Sequence, residues 1–236
     1  MTPRFHILLP PRESFTPAAS GAVALVVRDL YRASRNRALT RIYGGVQAAP
    51  VADVAYAAIR SSWRRFAGLT QDYARQAARL IPDTPGTYIE VHNRVEVFRQ
   101  IRKRHRHSRV TLFLHNAPET MAGLATPDAR RQILAMADAI ICVSDYVRER
   151  FLTGIGDETA AKVKVIPNGL PLEAHPLPLD PPPHRILYVG RMVPEKGVLQ
   201  LAKAIATVLP RHPSWTVGLI GARRHGGGGV SDFEKD

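Results

Sequence analysis

A chain of 236 residues with one cysteine and a formal net charge of +13 excludes several classes at the outset. No apolar stretch approaches a membrane span, one thiol forms no internal disulfide, and 45% hydrophobic content suffices for an ordinary globular core. The N-terminal apolar run Phe5–Leu9 is short and closed by Pro10-Pro11, so it reads as a buried first strand and not as a signal peptide.

Beyond that first strand, apolar runs alternate with helical patterns, the βαβ rhythm of a parallel sheet. Further strands are predicted at Gly45–Ala48, Val54–Ala57, Thr87–His92, Val110–His115, Ala139–Val143, Val163–Ile166, Ile186–Val189 and Thr216–Ile220. Several are continuous β-branched runs, as expected for strands buried on both faces. Helices fit between them. Val23, Val26, Val27 and Leu30 form one apolar stripe at helical spacing, and Ala67 to Leu80 is alanine-rich with arginines on its outer side. Thr126 before Pro127 and Ser144 before Asp145 are the expected caps of two more helices, ending near Met136 and Leu152. Pro194 is expected to start a last helix that ends near Leu209. Cys142 lies inside Ala139–Val143, a setting for core packing and not for reactivity.

The positive charge is spread. Residues 1–183 hold 25 Lys and Arg against 16 Asp and Glu, and residues 184–236 hold 8 against 4. One stretch is dense, Arg99 to Arg109 (RQIRKRHRHSR). It reads as a solvated helix end plus linker, with anionic lipid, sugar diphosphates and nucleic acid as the alternative partners. The run has no interleaved aromatics and no nucleic-acid motif accompanies it, so nucleic acid is the weakest of the three.

Pro171 to His184 contains six prolines in fourteen residues, a composition that suits neither helix nor central strand. A new strand–helix–strand pattern follows. The expected organisation is therefore an α/β domain over 1–170, a proline-rich linker over 171–184, and the opening of a second α/β domain over 185–236. One such unit does not bury its own sheet, so the second domain reads as truncated.

The string Tyr188-Val189-Gly190-Arg191-Met192-Val193-Pro194-Glu195-Lys196-Gly197-Val198 has the chemistry of a diphosphate site. A strand runs into Gly190, where the backbone can approach a ligand closely. Arg191 and Lys196 supply a fork and a point charge for phosphate oxygens, beside the N-terminus of a helix, where free N–H groups favour anions. The whole string, with Gly197, resembles the donor-site signature of family 4 glycosyltransferases, retaining sugar transferases built from two facing Rossmann-like domains.

Further motifs follow the family order along the chain. His115-Asn116-Ala117-Pro118-Glu119 closes an apolar strand and is similar to a His-Asn-x-Pro-Glu string of these enzymes. The resemblance implies His115 as a residue lining the reacting centre, where a neutral imidazole hydrogen-bonds a sugar hydroxyl, with Asn116 beside it. Gly21 lies where family members carry a glycine-rich loop contacting donor phosphates and acceptor, although one glycine stands here in place of the common pair. Ala137–Tyr146 followed by Lys162–Leu170 resembles the close of the family's first domain. There Pro167-Asn168-Gly169 reads as a turn with Asn or Gly at positive φ, and the resemblance adds proximity of Asn168 and Gly169 to the cleft. Val91–Arg94 also resembles a stretch of bacterial members, with His92 read as structural. The glycine run Gly226–Gly229 is either a linker or a donor-contacting loop.

The resemblance implies the two-domain glycosyltransferase B architecture. It also implies transfer of a sugar from a nucleotide diphosphate sugar to a glycan or lipid-linked acceptor, in bacterial surface polysaccharide synthesis. No cofactor and no metal are expected, since no Asp-x-Asp motif occurs and the two cations stand where a metal would. A cytoplasmic location is expected, with association at the inner face of an anionic membrane. One departure stands out. The family's pair of glutamates separated by seven residues, which holds donor ribose and sugar, has no counterpart, and Glu234 stands alone. A truncated, non-catalytic nucleotide- or phosphate-binding module is therefore the competing reading.

Overall fold

The computed structural model describes residues 2, 4–60, 68–156, 160–171 and 184–221. The chain divides into two compact units, Met1–Pro171 and Leu172–Asp236. Most of the proline-rich stretch, residues 172–183, and the glycine run Gly226–Gly229 lie outside the described residues, as does Glu234.

The first unit is built on seven parallel strands, β1 (Phe5–Leu8), β2 (Thr40–Gly44), β3 (Tyr56–Ala58), β4 (Tyr88–His92), β5 (Arg109–Leu114), β6 (Ala139–Cys142) and β7 (Val163–Val165). Their order in the sheet is β3-β2-β1-β4-β5-β6-β7, with the direction of strand addition reversing between β1 and β4. In such sheets ligands gather outside the carboxyl ends of the strands near that reversal. Register is set by alternation: Leu8, Val91, Leu112 and Ile140 stand side by side on one face, and Ile7, Glu90 and Thr111 on the other.

The two faces are covered differently. Leu8, Ile89, Val91, Leu112, Leu114 and Ile140 pack under α2 (Leu69–Leu80), α3 (Val95–Arg104), α4 (Pro127–Met136) and α5 (Asp145–Leu152), around Phe98, Ile101, Ile133 and Phe151. Each fully buried side chain of this size contributes about 1.5–3 kcal/mol. On the opposite face α1 (Ala22–Ala33) covers Ile7, Leu9 and Ile42 with Val23, Ala24 and Val27. Past β4, Glu90, Phe113 and Ile166 line a recess of about 280 Å³ together with Leu30 and Tyr31 of α1. Cys142 is fully buried, and burial pushes its thiol up to about 12, so it is an inert core residue.

Local signals place the caps. Thr126 accepts from the N–H of Ala129 and Ser144 from that of Val147. Two expectations are corrected here, and one about the basic run holds. The second strand lies at Thr40–Gly44, upstream of Gly45–Ala48, because the alternation Thr40-Arg41-Ile42-Tyr43 buries Ile42 against α1 and Tyr43 on the other face. Gly45 follows it in a bend where a Cβ would lie 2.7 Å from the carbonyl oxygen of Pro11. The basic run beginning at Arg99 is a helix end plus linker, as expected: Arg99 to Arg104 form the second half of α3, whose Val97, Phe98 and Ile101 are buried, and residues 105–108 connect it to β5. Its arginines then part company, with Arg102 donating to the carbonyls of Met136, His105 and Ser108 while Lys103 and Arg104 face outward. Finally, Asn168 and Gly169 have no positive φ and form no turn. The N–H of Ile166 still bonds the carbonyl of Cys142.

In the second unit β8 (Arg185–Val189) and β9 (Thr216–Ile220) pair in parallel, with α6 (Val198–Val208) between them in sequence. Leu187, Val189, Leu219 and Ile220 are exposed by 45% to 68%, so this small sheet presents apolar side chains to solvent. No described helix of either unit is long and apolar enough to cross a membrane.

Candidate functional site

In the first unit the carboxyl ends of the strands carry two cavities. One, of about 520 Å³, lies beyond β1 and β2 and is lined by Arg12, Glu13, Gln47, Arg60 and Tyr73, among others. Tyr73 is fixed there by donating its buried hydroxyl to the carbonyl of Leu9. The other, of about 620 Å³, lies beyond β4 and β5 and is lined by Asn93, Arg94 and Asn116, with the first residues of α2 and α3.

Glu13 explains Gly21. The Glu13 carboxylate accepts from the N–H groups of Val23 and Ala24, at 3.1 and 3.2 Å, and so occupies the N-terminus of α1. A Cβ on Gly21 would sit 2.1 Å from that carboxylate oxygen. The glycine makes room for an internal acid at a helix start that favours anions. The cap comes from eight residues upstream of Gly21, and a scan of the helix start alone does not find it.

His115 follows β5 directly and is partly buried. Its backbone N–H donates to the side-chain oxygen of Asn93, and the N–H of Asn93 donates to the carbonyl of Phe113 at 2.8 Å. Asn93 has φ 56°, the left-handed conformation that asparagine adopts more readily than most residues. It thus stitches the end of β4 to the end of β5 and sets where His115 begins. His115 Nε2 lies 3.0 Å from Nδ1 of the fully buried His92, whose ring stacks on Phe113 at 4.5 Å. Burial first, and the neighbouring His92 second, lower the His115 imidazole to about 4, so it is neutral near pH 7. Two polar side chains, Glu90 and His92, at alternate positions of an apolar strand were the available signal for this cluster, and the sequence reading passed over Asn93.

Asn116 is exposed and lines the larger cavity, one residue from His115. Asn168 and Gly169 line neither cavity; both are exposed beyond β7, and a Cβ on Gly169 would meet nothing within 4 Å.

The loop after β8 forms a separate site in the second unit. The N–H of Gly190 donates to Ile220, which keeps the strand ends paired to the edge of the loop. The hydroxyl of Tyr188 donates to the carbonyl of Arg191 at 3.0 Å and pins the next residue. Pro194 opens a single 3-10 turn, Pro194–Lys196, and not the helix expected there. Gly197, with φ 70° and ψ 17°, breaks the turn from α6, which begins at Val198. The left-handed conformation at that position is the one glycine adopts without penalty. Arg191 and Lys196 are exposed and make no ion pair among the described residues, and the first N–H groups of α6 have no intrahelical partner. Two free cations and an open helix N-terminus can accept a diphosphate. Among the described residues no three His, Cys, Asp or Glu side chains group to hold a metal ion.

The sequence profile of Glycosyltransferase Family 4 matches residues 23–174. The lipopolysaccharide 1,2-N-acetylglucosaminetransferase of Salmonella typhimurium is 29% identical over 128 residues, covering 49% of this chain and 29% of that protein. Among solved structures, the Escherichia coli trehalose-6-phosphate structure bound with UDP-2-fluoro glucose aligns with a TM-score of 0.63 at 16% identity, over 94% of this chain and 65% of that one. Anabaena HepE in complex with UDP and glucose aligns with a TM-score of 0.62 at 16% identity, over 93% and 61%. These similarities show a shared fold, that of the glycosyltransferase B enzymes, and this chain spans less than two thirds of each relative.

Proposed function

The chain belongs to glycosyltransferase family 4, and on that premise we propose that it serves a retaining transfer of a sugar from a nucleotide diphosphate sugar to a glycan or lipid-linked acceptor. The observation that carries the reading is the loop Gly190–Gly197, where exposed Arg191 and Lys196 flank the open N-terminus of α6. Breaking the sugar–phosphate bond leaves the electron pair on the diphosphate and makes the sugar oxocarbenium-like. Cations already in place stabilise that growing charge without reorganising. In a retaining step without a protein nucleophile, the acceptor hydroxyl attacks from the face the diphosphate leaves, and its proton passes to the departing phosphate oxygen. His115 contributes a neutral hydrogen bond to a sugar hydroxyl. The Salmonella relative supports a lipopolysaccharide-type acceptor and a role in surface polysaccharide synthesis.

Membrane association belongs to the same proposal. On the outer side of α2 and α3 a groove of about 430 Å³ is lined by Arg75, Arg79, Gln100, Lys103 and Arg104. None of its four cations is paired among the described residues. Such a surface suits the anionic inner leaflet of a membrane, where a lipid-linked acceptor is presented.

Calorimetric titration with nucleoside diphosphates, alongside single-turnover transfer from a panel of nucleotide sugars using the full-length protein, tests the reading. Binding with transfer supports it. Binding without transfer favours a non-catalytic nucleotide module, and neither binding nor transfer removes both.

A further inference from the structure

Glu90, His92 and His115 form a line of polar groups on one face of the sheet. Glu90 and His92 are alternate residues of β4, and His92 pairs in register with Phe113, two residues before His115. A Glu90 carboxylate oxygen lies 3.8 Å from His92 Nε2, and His92 Nδ1 lies 3.0 Å from His115 Nε2. His92 is fully buried, and its Nε2 has no hydrogen-bond partner. Glu90 is 32% exposed, on the face past β4, and makes no other hydrogen bond or ion pair among the described residues.

Between His92 Nδ1 and His115 Nε2 only one nitrogen carries the bonding hydrogen, so two arrangements exist. If His92 donates through Nδ1, its Nε2 lone pair faces the Glu90 carboxylate, an acceptor against an acceptor, buried and unsatisfied. That arrangement sets a lone pair against a negatively charged oxygen 3.8 Å away, which is electrostatically unfavourable. If His92 carries its hydrogen on Nε2, that hydrogen points to the carboxylate, and Nδ1 is free to accept from His115. The hydrogen bond at one imidazole nitrogen then decides what the other nitrogen offers.

We infer that Glu90 and His92 are positioning residues that hold His115 in its neutral Nε2–H tautomer, so that Nδ1 of His115 is presented as a hydrogen-bond acceptor. A group so held recognises a hydroxyl hydrogen, as of a sugar, and rejects a phosphate or carboxylate oxygen, which has no hydrogen to give. The identification of that hydroxyl as a sugar's rests on the transferase reading; the tautomer does not. Desolvation of His115, which keeps the ring neutral, acts in the same direction.

Long-range proton–nitrogen correlation spectra of the 15N-histidine-labelled 236-residue chain read the tautomers directly. Both His92 and His115 are expected as Nε2–H forms. Glu90→Gln, which can donate its amide to His92 Nε2, should move both rings to the Nδ1–H form or to a mixture, with the thermal midpoint little changed. His92→Phe keeps the stacked ring but removes the acceptor, and should release His115 to mixed tautomers. A wild-type His115 protonated at Nδ1, or a Glu90→Gln spectrum identical to wild type, overturns the inference. In the full-length enzyme Glu90→Gln should lower transfer roughly tenfold. Expected tautomers together with no transfer by the wild-type enzyme would uphold this inference and sink the transferase reading.

Discussion

A Cβ placed on Gly221 would lie 1.7 Å from the carbonyl oxygen of Gly190, so the ends of β8 and β9 meet at a separation that a side chain on Gly221 would destroy. The N–H of Gly190 reaches Ile220 across the same gap. The backbone that begins the loop Gly190–Gly197 is thus held by its neighbouring strand. Gly221→Ala must push the strands apart or tilt the loop. Nucleotide affinity should fall at least tenfold, and the amide of Gly190 should lose protection from hydrogen exchange; unchanged binding would show that the loop is set by other contacts.

Arg191→Ala and Lys196→Ala in the full-length enzyme should each slow single-turnover transfer by about 3 kcal/mol, roughly two orders of magnitude. The charge they meet grows as the bond breaks, so the loss should fall mainly on the chemical step and less on donor affinity. Lys196→Arg should recover only part, because a planar fork does not reproduce a compact ammonium. Wild-type rates in both alanine variants would remove the diphosphate reading of Gly190–Gly197.

The buried imidazole of His115 makes a prediction about acid stability. Its folded value, lowered to about 4 by burial and then by His92, lies below the 6.5 of an unfolded histidine. Between those values the unfolded chain binds more protons than the folded one, so acid favours unfolding. The contribution is complete above pH 6.5 and is lost as pH falls to about 4. It amounts to about 3 kcal/mol at most. Urea midpoints measured from pH 7 to pH 4 should fall less steeply in His115→Asn than in wild type. Because the ring is neutral near pH 7, transfer should show no titration assignable to His115 between pH 6 and 8.

The outward groove between α2 and α3 predicts salt-sensitive adhesion to acidic vesicles. Each cation removed from the set Arg75, Arg79, Lys103 and Arg104 should weaken binding to phosphatidylserine-containing liposomes by about 1 kcal/mol. Removing all four should abolish flotation at physiological salt. Arg102→Ala belongs to a different class, since its guanidinium satisfies three backbone carbonyls; it should lower the thermal midpoint instead.

What the sequence determined by itself was whatever depends on neighbours a few residues away. The parallel sheet followed from continuous β-branched runs such as Ala139–Val143. The caps Thr126 and Ser144 followed from their position before helical patterns. Tertiary structure decided what depends on register between distant segments. His92 meets His115 only because β4 and β5 pair with His92 opposite Phe113, and nothing local to either motif carries that alignment. Glu13 fills the helix end beside Gly21 from eight residues upstream, and Arg75 with Arg79 joins Lys103 and Arg104 across two helices. The misplaced second strand has the same cause. Gly45–Ala48 and Thr40–Gly44 both resemble strand, and burial of Ile42 under α1 selects the latter. Hydrophobic period and capping chemistry act within one turn of chain, whereas burial and cross-strand pairing are settled only when the whole sheet assembles.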